Sequence, residues 1–221
     1  MLEPFRIHDC ALIVRMGGVP DAMNLRELRD RVVTCPPECL YHHFCETLLR
    51  ATFDDPEFRN DFAVWASRAL HDRALAEQLG VIDPYTFDDR EALRAEVLDI
   101  IADRLHELPM VPWAKRGEEF NFMRAVTVVF DTGHDITEPS DLPGAIERMT
   151  RSSLYYHFVE ARRRTDGGTD DFSTWLSAGD GEAKALIQAL QSVDFYFLTL
   201  GELKTKLIQV TRRALNKGGQ R

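Results

Sequence analysis

Two pairs of residues have the types and spacing to do chemistry. His43 is followed by Asp61 and His157 by Asp171, each histidine inside a Leu-Tyr-x-His-Phe series and each aspartate opening an Asp-Phe-x-x-Trp series. A histidine hydrogen-bonded to a carboxylate is the arrangement that orients a general base. The same residues have a plainer use. Asp61 and Asp171 suit helix N-caps, the histidines can satisfy buried polar contacts, and Trp65 and Trp175 can fill a core. The plainer use is the expected one.

Metal chemistry is the alternative. His42, His43, His71 and Asp72, with a carboxylate from Asp99 or Asp103, imitate the order of ligands in metal-dependent phosphohydrolases. The His-Asp dipeptide also occurs at His8 and His134, which makes it a cheap match. Cys39, His42 and His43 share a helix face in a zinc reading, but their spacing fits no familiar finger. The second-repeat counterparts of Cys39 and Cys45 are Ser153 and Val159. Arg162, Arg163 and Arg164 have the charge to capture a phosphate or sugar phosphate, although a solvated basic turn is their ordinary role. The chain has no phosphate-cradling loop, dinucleotide fingerprint or nucleophile elbow. No cofactor is expected.

The elements that must hold these residues are written twice. Residues 40–46 match 154–160 with five identities in seven at an offset of 114, and 61–67 match 171–177 at an offset of 110. Residues 11–14 align with 125–128, again at 114, and the stripe Leu93, Val97, Leu98, Leu105 pairs with Leu203, Leu207, Ile208, Leu215. Self-similarity over such lengths is the mark of a repeated supersecondary unit.

Each repeat reads as one short strand followed by four or five helices. In the first, the strand is about 5–15. Helices follow over 24–33, over 38–50, from Asn60 or Asp61, around Leu75 and Leu79 up to Gly80, and over 90–108. In the second repeat, 182–215 would pass for one long helix by spacing alone. Its match to the Pro84 turn predicts a break near Val193–Phe197. The fold class is therefore mainly α (α+β, one strand per repeat), a tandem duplication with pseudo-twofold symmetry. The halves are 1–108 and 119–221, joined by a linker at 109–118. A lone strand needs a partner, and its counterpart in the other half is the natural one.

The 221 residues are 44% hydrophobic and 29% charged, which excludes disordered and low-complexity classes. A net charge of −9 argues against nucleic-acid binding. After Glu202 no acid follows, and the basic residues there complement a final helix dipole. No apolar run reaches membrane-spanning length and no signal peptide opens the chain, so a cytoplasmic protein away from membranes is expected. Four cysteines, all within residues 10–45, are too clustered for a disulfide framework.

The series Asn24-Leu25-Arg26-Glu27-Leu28-Arg29-Asp30, Tyr41-His42-His43-Phe44, Asn60-Asp61-Phe62-Ala63-x-Trp65 and Leu75-Ala76-x-x-Leu79 resembles an uncharacterised prokaryotic domain-of-unknown-function family. The resemblance covers residues 5–108 well and the second repeat weakly. It implies no established reaction, and it implies an association of related modules with carbohydrate-active enzymes. Where the first repeat has Ala69-Leu70-His71, the second has Gly179-Asp180-Gly181.

The expected function is a non-enzymatic regulatory or interaction module that binds a protein partner or a small ligand between its halves, with a homodimer among the allowed assemblies. Tyr41, Phe62, Trp65, Tyr155, Phe172 and Trp175 are its motif aromatics. The alternative is a metal-dependent hydrolase.

Overall fold

The structure, a computed structural model, describes residues 2–49, 57–165, 167–179, 183–196 and 198–218. Residues 180–182, Phe197 and Arg221, which enter the sequence reading, lie outside these. The chain is mainly helical, with one two-stranded antiparallel sheet. It divides into two compact units. An inner unit holds residues 12–126, and a terminal unit holds 1–11 with 127–221. The segment 109–118 lies within the inner unit, so the units differ in their boundaries from the halves 1–108 and 119–221 expected from the repeats.

The sheet explains the difference. Strand β1 (Phe5–Met16) begins in the terminal unit and ends in the inner one, and β2 (Met123–Ile136) runs the opposite way. Each strand pairs with the other, as the lone-strand argument required.

Among the described residues the inner unit has five α-helices. Helix α1 (Leu25–Thr34) starts where Asn24 accepts from Glu27 N–H while the Glu27 carboxylate accepts from Met23 N–H at 2.8 Å. The first bond satisfies a backbone donor that the first helical turn leaves open, and the second ties the residue before the cap to that turn. Its buried face is Leu25, Leu28 and Val32, the spacing of one helical stripe. Helix α2 (Pro37–Phe44) has proline at its first position, where the missing N–H costs nothing. The helix expected over 38–50 ends at Phe44, and a 3-10 turn follows over Glu46–Leu49.

Helices α3 (Asp61–Arg68) and α4 (Arg73–Gly80) pack on each other. Asn60 caps the first and also donates to Leu79 O at 2.9 Å, tying the two together. Helix α5 (Arg90–Glu107), capped by Asp89, lays Leu93, Val97 and Ile101 against α1 and α2.

In the terminal unit, α6 (Leu142–Arg148) precedes a helical run with a change of pitch: α7 (Arg151–Leu154), a π-helical segment (Tyr155–Glu160), then α8 (Ala161–Arg164). Helix α9 (Asp171–Ser177) and α10 (Lys184–Gln191) pack together, and α11 (Leu200–Gly218) covers α10 and α6. Spacing would allow one helix from 182 to 215. The chain instead leaves helix after Gln191 and re-enters at Leu200. The basic residues of α11 have local uses: Lys204 donates to Met149 O at 2.7 Å and Arg212 pairs with Glu147 at 2.7 Å.

Candidate functional site

In the inner unit the His43 side chain is 3% exposed and both its ring nitrogens are engaged. Nε2 accepts from Met123 N–H at 2.9 Å. An imidazole nitrogen that accepts must carry a lone pair, so the proton of the neutral ring sits on Nδ1. Nδ1 lies 2.6 Å from Asp61 Oδ2 and donates to it. The histidine therefore bolts α2 to α3 and to the start of β2.

Its neighbours serve the same end. Phe62 stacks on Phe120 at 4.7 Å and 18°, with the His43 ring 4.8 Å from Phe120. Trp65 Nε1 donates to Glu118 O at 2.7 Å. Histidine, phenylalanine and tryptophan all grip one extended segment, residues 118–123.

The terminal unit has the same contacts on a different segment. His8 N–H donates to His157 Nε2 at 2.9 Å, His157 Nδ1 donates to Asp171 Oδ2 at 2.8 Å, and Trp175 Nε1 donates to Glu3 O at 2.7 Å. Phe5 lies 4.9 Å from the His157 ring and 5.2 Å from Phe172. The gripped segments are Glu3-x-Phe5-x-Ile7-His8 and Glu118-x-Phe120-x-Phe122-Met123, at an offset of 115. This offset is one residue from the 114 at which residues 11–14 align with 125–128. The repeated Glu-x-Phe was the available signal.

Of the two candidates Asn60 and Asp61 the cap is Asn60, and in the second repeat it is Asp170 in place of the expected Asp171. Asn60 and Asp170 cap α3 and α9 by accepting from Ala63 N–H and Ser173 N–H, which leaves the next residue's carboxylate to face the histidine. Asp170 also accepts from the Ser173 hydroxyl at 2.7 Å, and its burial holds its carboxyl pKa above the ordinary value.

The metal candidates do not converge. His42 Nδ1 lies 2.7 Å from Glu46 Oε2 in the core. Exposed His71 stands in the left-handed region at φ 53°. Asp72 caps α4 and pairs with Arg104 at 2.9 Å, while Asp99 and Asp103 are exposed on α5. Among the described residues no three His, Cys, Asp or Glu side chains are placed to hold a metal ion. His42, His43 and Asp72 are instead engaged by Glu46, Asp61 and Arg104.

The arginine run is likewise occupied. The Arg162 guanidinium sits 5.0 Å over Phe158 and 4.7 Å over Phe195, and Arg163 pairs with Glu160. Arg164 lies 4.1 Å over Tyr156 and donates to Asp171 Oδ2 at 2.9 Å. Tyr155 is buried, and half-buried Tyr41 lies under Arg90 at 5.4 Å.

Beside the His43–Asp61 bolt, wholly within the inner unit, is a cavity of about 390 Å³. Its apolar wall is Val64, Ala69, Phe120 and Met123 with the edge of Trp65. Arg68, Glu118, Glu119 and Asn121 give it hydrogen-bonding groups of both senses. The single Gly117 N–H, shared between the two Glu119 carboxylate oxygens at 3.0 and 2.9 Å, holds that carboxyl below its ordinary pKa.

A family model described as a family of unknown function, DUF5752, matches residues 2–212. Among solved structures, that of OrfY from Thermoproteus tenax is 27% identical, with a TM-score of 0.77 over 96% of this chain and 95% of that one. No curated protein matches the chain.

Proposed function

Because the chain belongs to DUF5752, a family of unknown function, its role must be read from its own geometry, and we propose that it is a non-enzymatic regulatory or interaction module that binds a small ligand in the inner-unit cavity. The observation that carries this reading is the commitment of every ring nitrogen of His43 and His157. A general base needs a nitrogen lone pair facing the proton it takes. Here each Nε2 lone pair is used by a backbone N–H and each Nδ1 proton by a carboxylate. The repeated motif therefore serves to build two scaffolds, and the cavity beside one of them supplies the binding surface. Action beside carbohydrate-active enzymes rests on the resemblance of the Tyr-His and Asp-Phe-x-x-Trp series to modules found there.

The test is a thermal-shift and calorimetric panel of neutral sugars, sugar phosphates and organic amines on the parent and on Val64→Phe, which fills the cavity. A ligand at one hundred times its Kd adds about 2.7 kcal/mol. For a chain of this size that raises the melting temperature by about 5–11 °C. Val64→Phe is expected to abolish the shift while melting like the parent. Turnover of any substrate that disappears in a folded His43→Gln variant would overturn the non-enzymatic reading.

A further inference from the structure

The sheet sets two arginines face to face. Strand β1 ends at Met16, β2 starts at Met123, and just beyond them Gly17 N–H donates to Phe122 O at 2.6 Å. In an antiparallel ladder that bond places Met16 opposite Met123 and Arg15 opposite Arg124. Residues directly opposite project from the same face, their Cα atoms roughly 4.5–5.5 Å apart. Side chains alternate along a strand, so the next rung on that face is Ile13 opposite Val126. All four residues belong to the inner unit, and none of them lines the cavity beside His43.

The pair stands where this face passes from covered to open. One rung inward, Phe122 is fully buried and a Cβ on Gly17 would come within 2.7 Å of Cys39 Sγ on α2. One rung outward, Ile13 and Val126 are 59% and 47% exposed. Arg124 spans the change: its Nε is shut off from water and has no acceptor, while its two Nη atoms stay open to solvent. Among the described residues no carboxylate lies within ion-pairing distance of either guanidinium. Arg94 and Arg104 of the same unit, by contrast, pair with Glu91 and with Asp72 and Glu107. Like charges directly opposite weaken a strand pair, and a covered donor without an acceptor adds to the cost. A dianion held between the two forks would cancel the repulsion and give the outer nitrogens acceptors. A phosphate monoester brings nearly two negative charges at neutral pH and three acceptor oxygens, which suit planar guanidinium forks. A carboxylate brings one charge and two oxygens.

We infer that Arg15 and Arg124 form an oxyanion site for a phosphate monoester, whose organic group lies along the apolar rung of Ile13 and Val126. Both guanidiniums donate to the phosphate oxygens. The covered Nε holds the root of the Arg124 fork in place, so less freedom is lost when its outer nitrogens bond the anion.

The experiment titrates the full chain calorimetrically with phenyl phosphate, inorganic phosphate and phenylacetate in chloride buffer at constant ionic strength, with melting curves alongside. Phenyl phosphate is expected to saturate a single site. Inorganic phosphate should bind about tenfold more weakly for want of the apolar group, and phenylacetate should also bind more weakly. Arg15→Gln and Arg124→Gln should each raise the phenyl phosphate Kd about ten- to a hundredfold. Ile13→Ser should weaken phenyl phosphate and leave inorganic phosphate unchanged. Without ligand, Arg15→Gln should melt no lower than the parent, because it removes one of two opposed like charges. Affinity should fall from about pH 7.5 to about pH 5, as the phosphate takes up its second proton near pH 6. Should Arg124→Gln fail to fold, Arg15→Gln, a change at an exposed side chain, still decides the matter. Val64→Phe, which fills the cavity, should leave phenyl phosphate binding intact; its loss there would place the phosphate in the cavity and overturn the inference. So would the absence of saturable binding, equal binding by the double arginine variant, or inorganic phosphate binding as tightly as the monoester.

Discussion

Replacing His43 by alanine removes two hydrogen bonds and an imidazole from the inner unit at one stroke. Met123 N–H, which donates to the His43 lone pair, loses that acceptor at a cost of about 1–3 kcal/mol. The bond to the Asp61 carboxylate adds about 1.5 kcal/mol, at the low end for a charged partner because the Asp61 side chain is 25% exposed and water replaces part of it. Lost packing against Phe62 and Phe120 brings the sum to about 3–5 kcal/mol. In a chain of this length that lowers the melting temperature by about 6–20 °C. Two further variants separate the parts. Asparagine places its amide near the position of Nδ1 and restores the Asp61 bond, whereas glutamine reaches toward Nε2 and restores the Met123 bond, so each should recover part of the loss. The assay is urea unfolding followed by far-UV circular dichroism and tryptophan fluorescence. If His43→Ala unfolds within about 0.5 kcal/mol of the parent, or if asparagine and glutamine do no better than alanine, the bolt does not exist as described.

Trp65→Ala should cost about 3–5 kcal/mol. Trp65→Phe keeps an aromatic ring but drops the Glu118 bond, and should cost about 1 kcal/mol for that bond, read from the same urea curves. Asp170 offers a pH test. Because burial raises its folded pKa, its contribution to stability is fully present below the ordinary value near 3.8 and is lost as the pH rises through the raised one. Asp170→Asn, the residue that Asn60 already supplies at the matching cap, should unfold at the same or higher urea concentration at pH 7. It should also lack the parent's decline between pH 4 and 7. A parent that gains stability over that interval relative to Asp170→Asn would contradict the sign.

Local physics made most of the helices legible. The stripes Leu25, Leu28, Val32 and Leu93, Val97, Ile101, and the caps at Asn24, Asp72 and Asp89, depend on residues within one or two turns of each other. Neighbour spacing alone therefore specifies them. The pairing of His43 with Asp61 and of His157 with Asp171 could be read from their repetition, which also pointed to structure rather than chemistry. What the second ring nitrogen does could not be read, because its partners, Met123 and His8, are 80 and 149 residues away in the chain. Nor could spacing show that the Arg162–Arg164 run is spent on Phe158, Phe195, Glu160 and Asp171, since the decisive contacts are set by packing.

The sequence by itself determined the kinds of element, their order, and the motif residues that hold them. Only the tertiary structure decided which extended segment each set of helices grips. The residues that follow Glu3 and those that follow Glu118 share the Glu-x-Phe pattern, so that pattern by itself does not tell one segment from the other. What breaks the tie is geometry outside the motif. The two strands, of 12 and 14 residues, pair with each other, and Glu3–His8 lies in the terminal unit while Glu118–Met123 lies in the inner one.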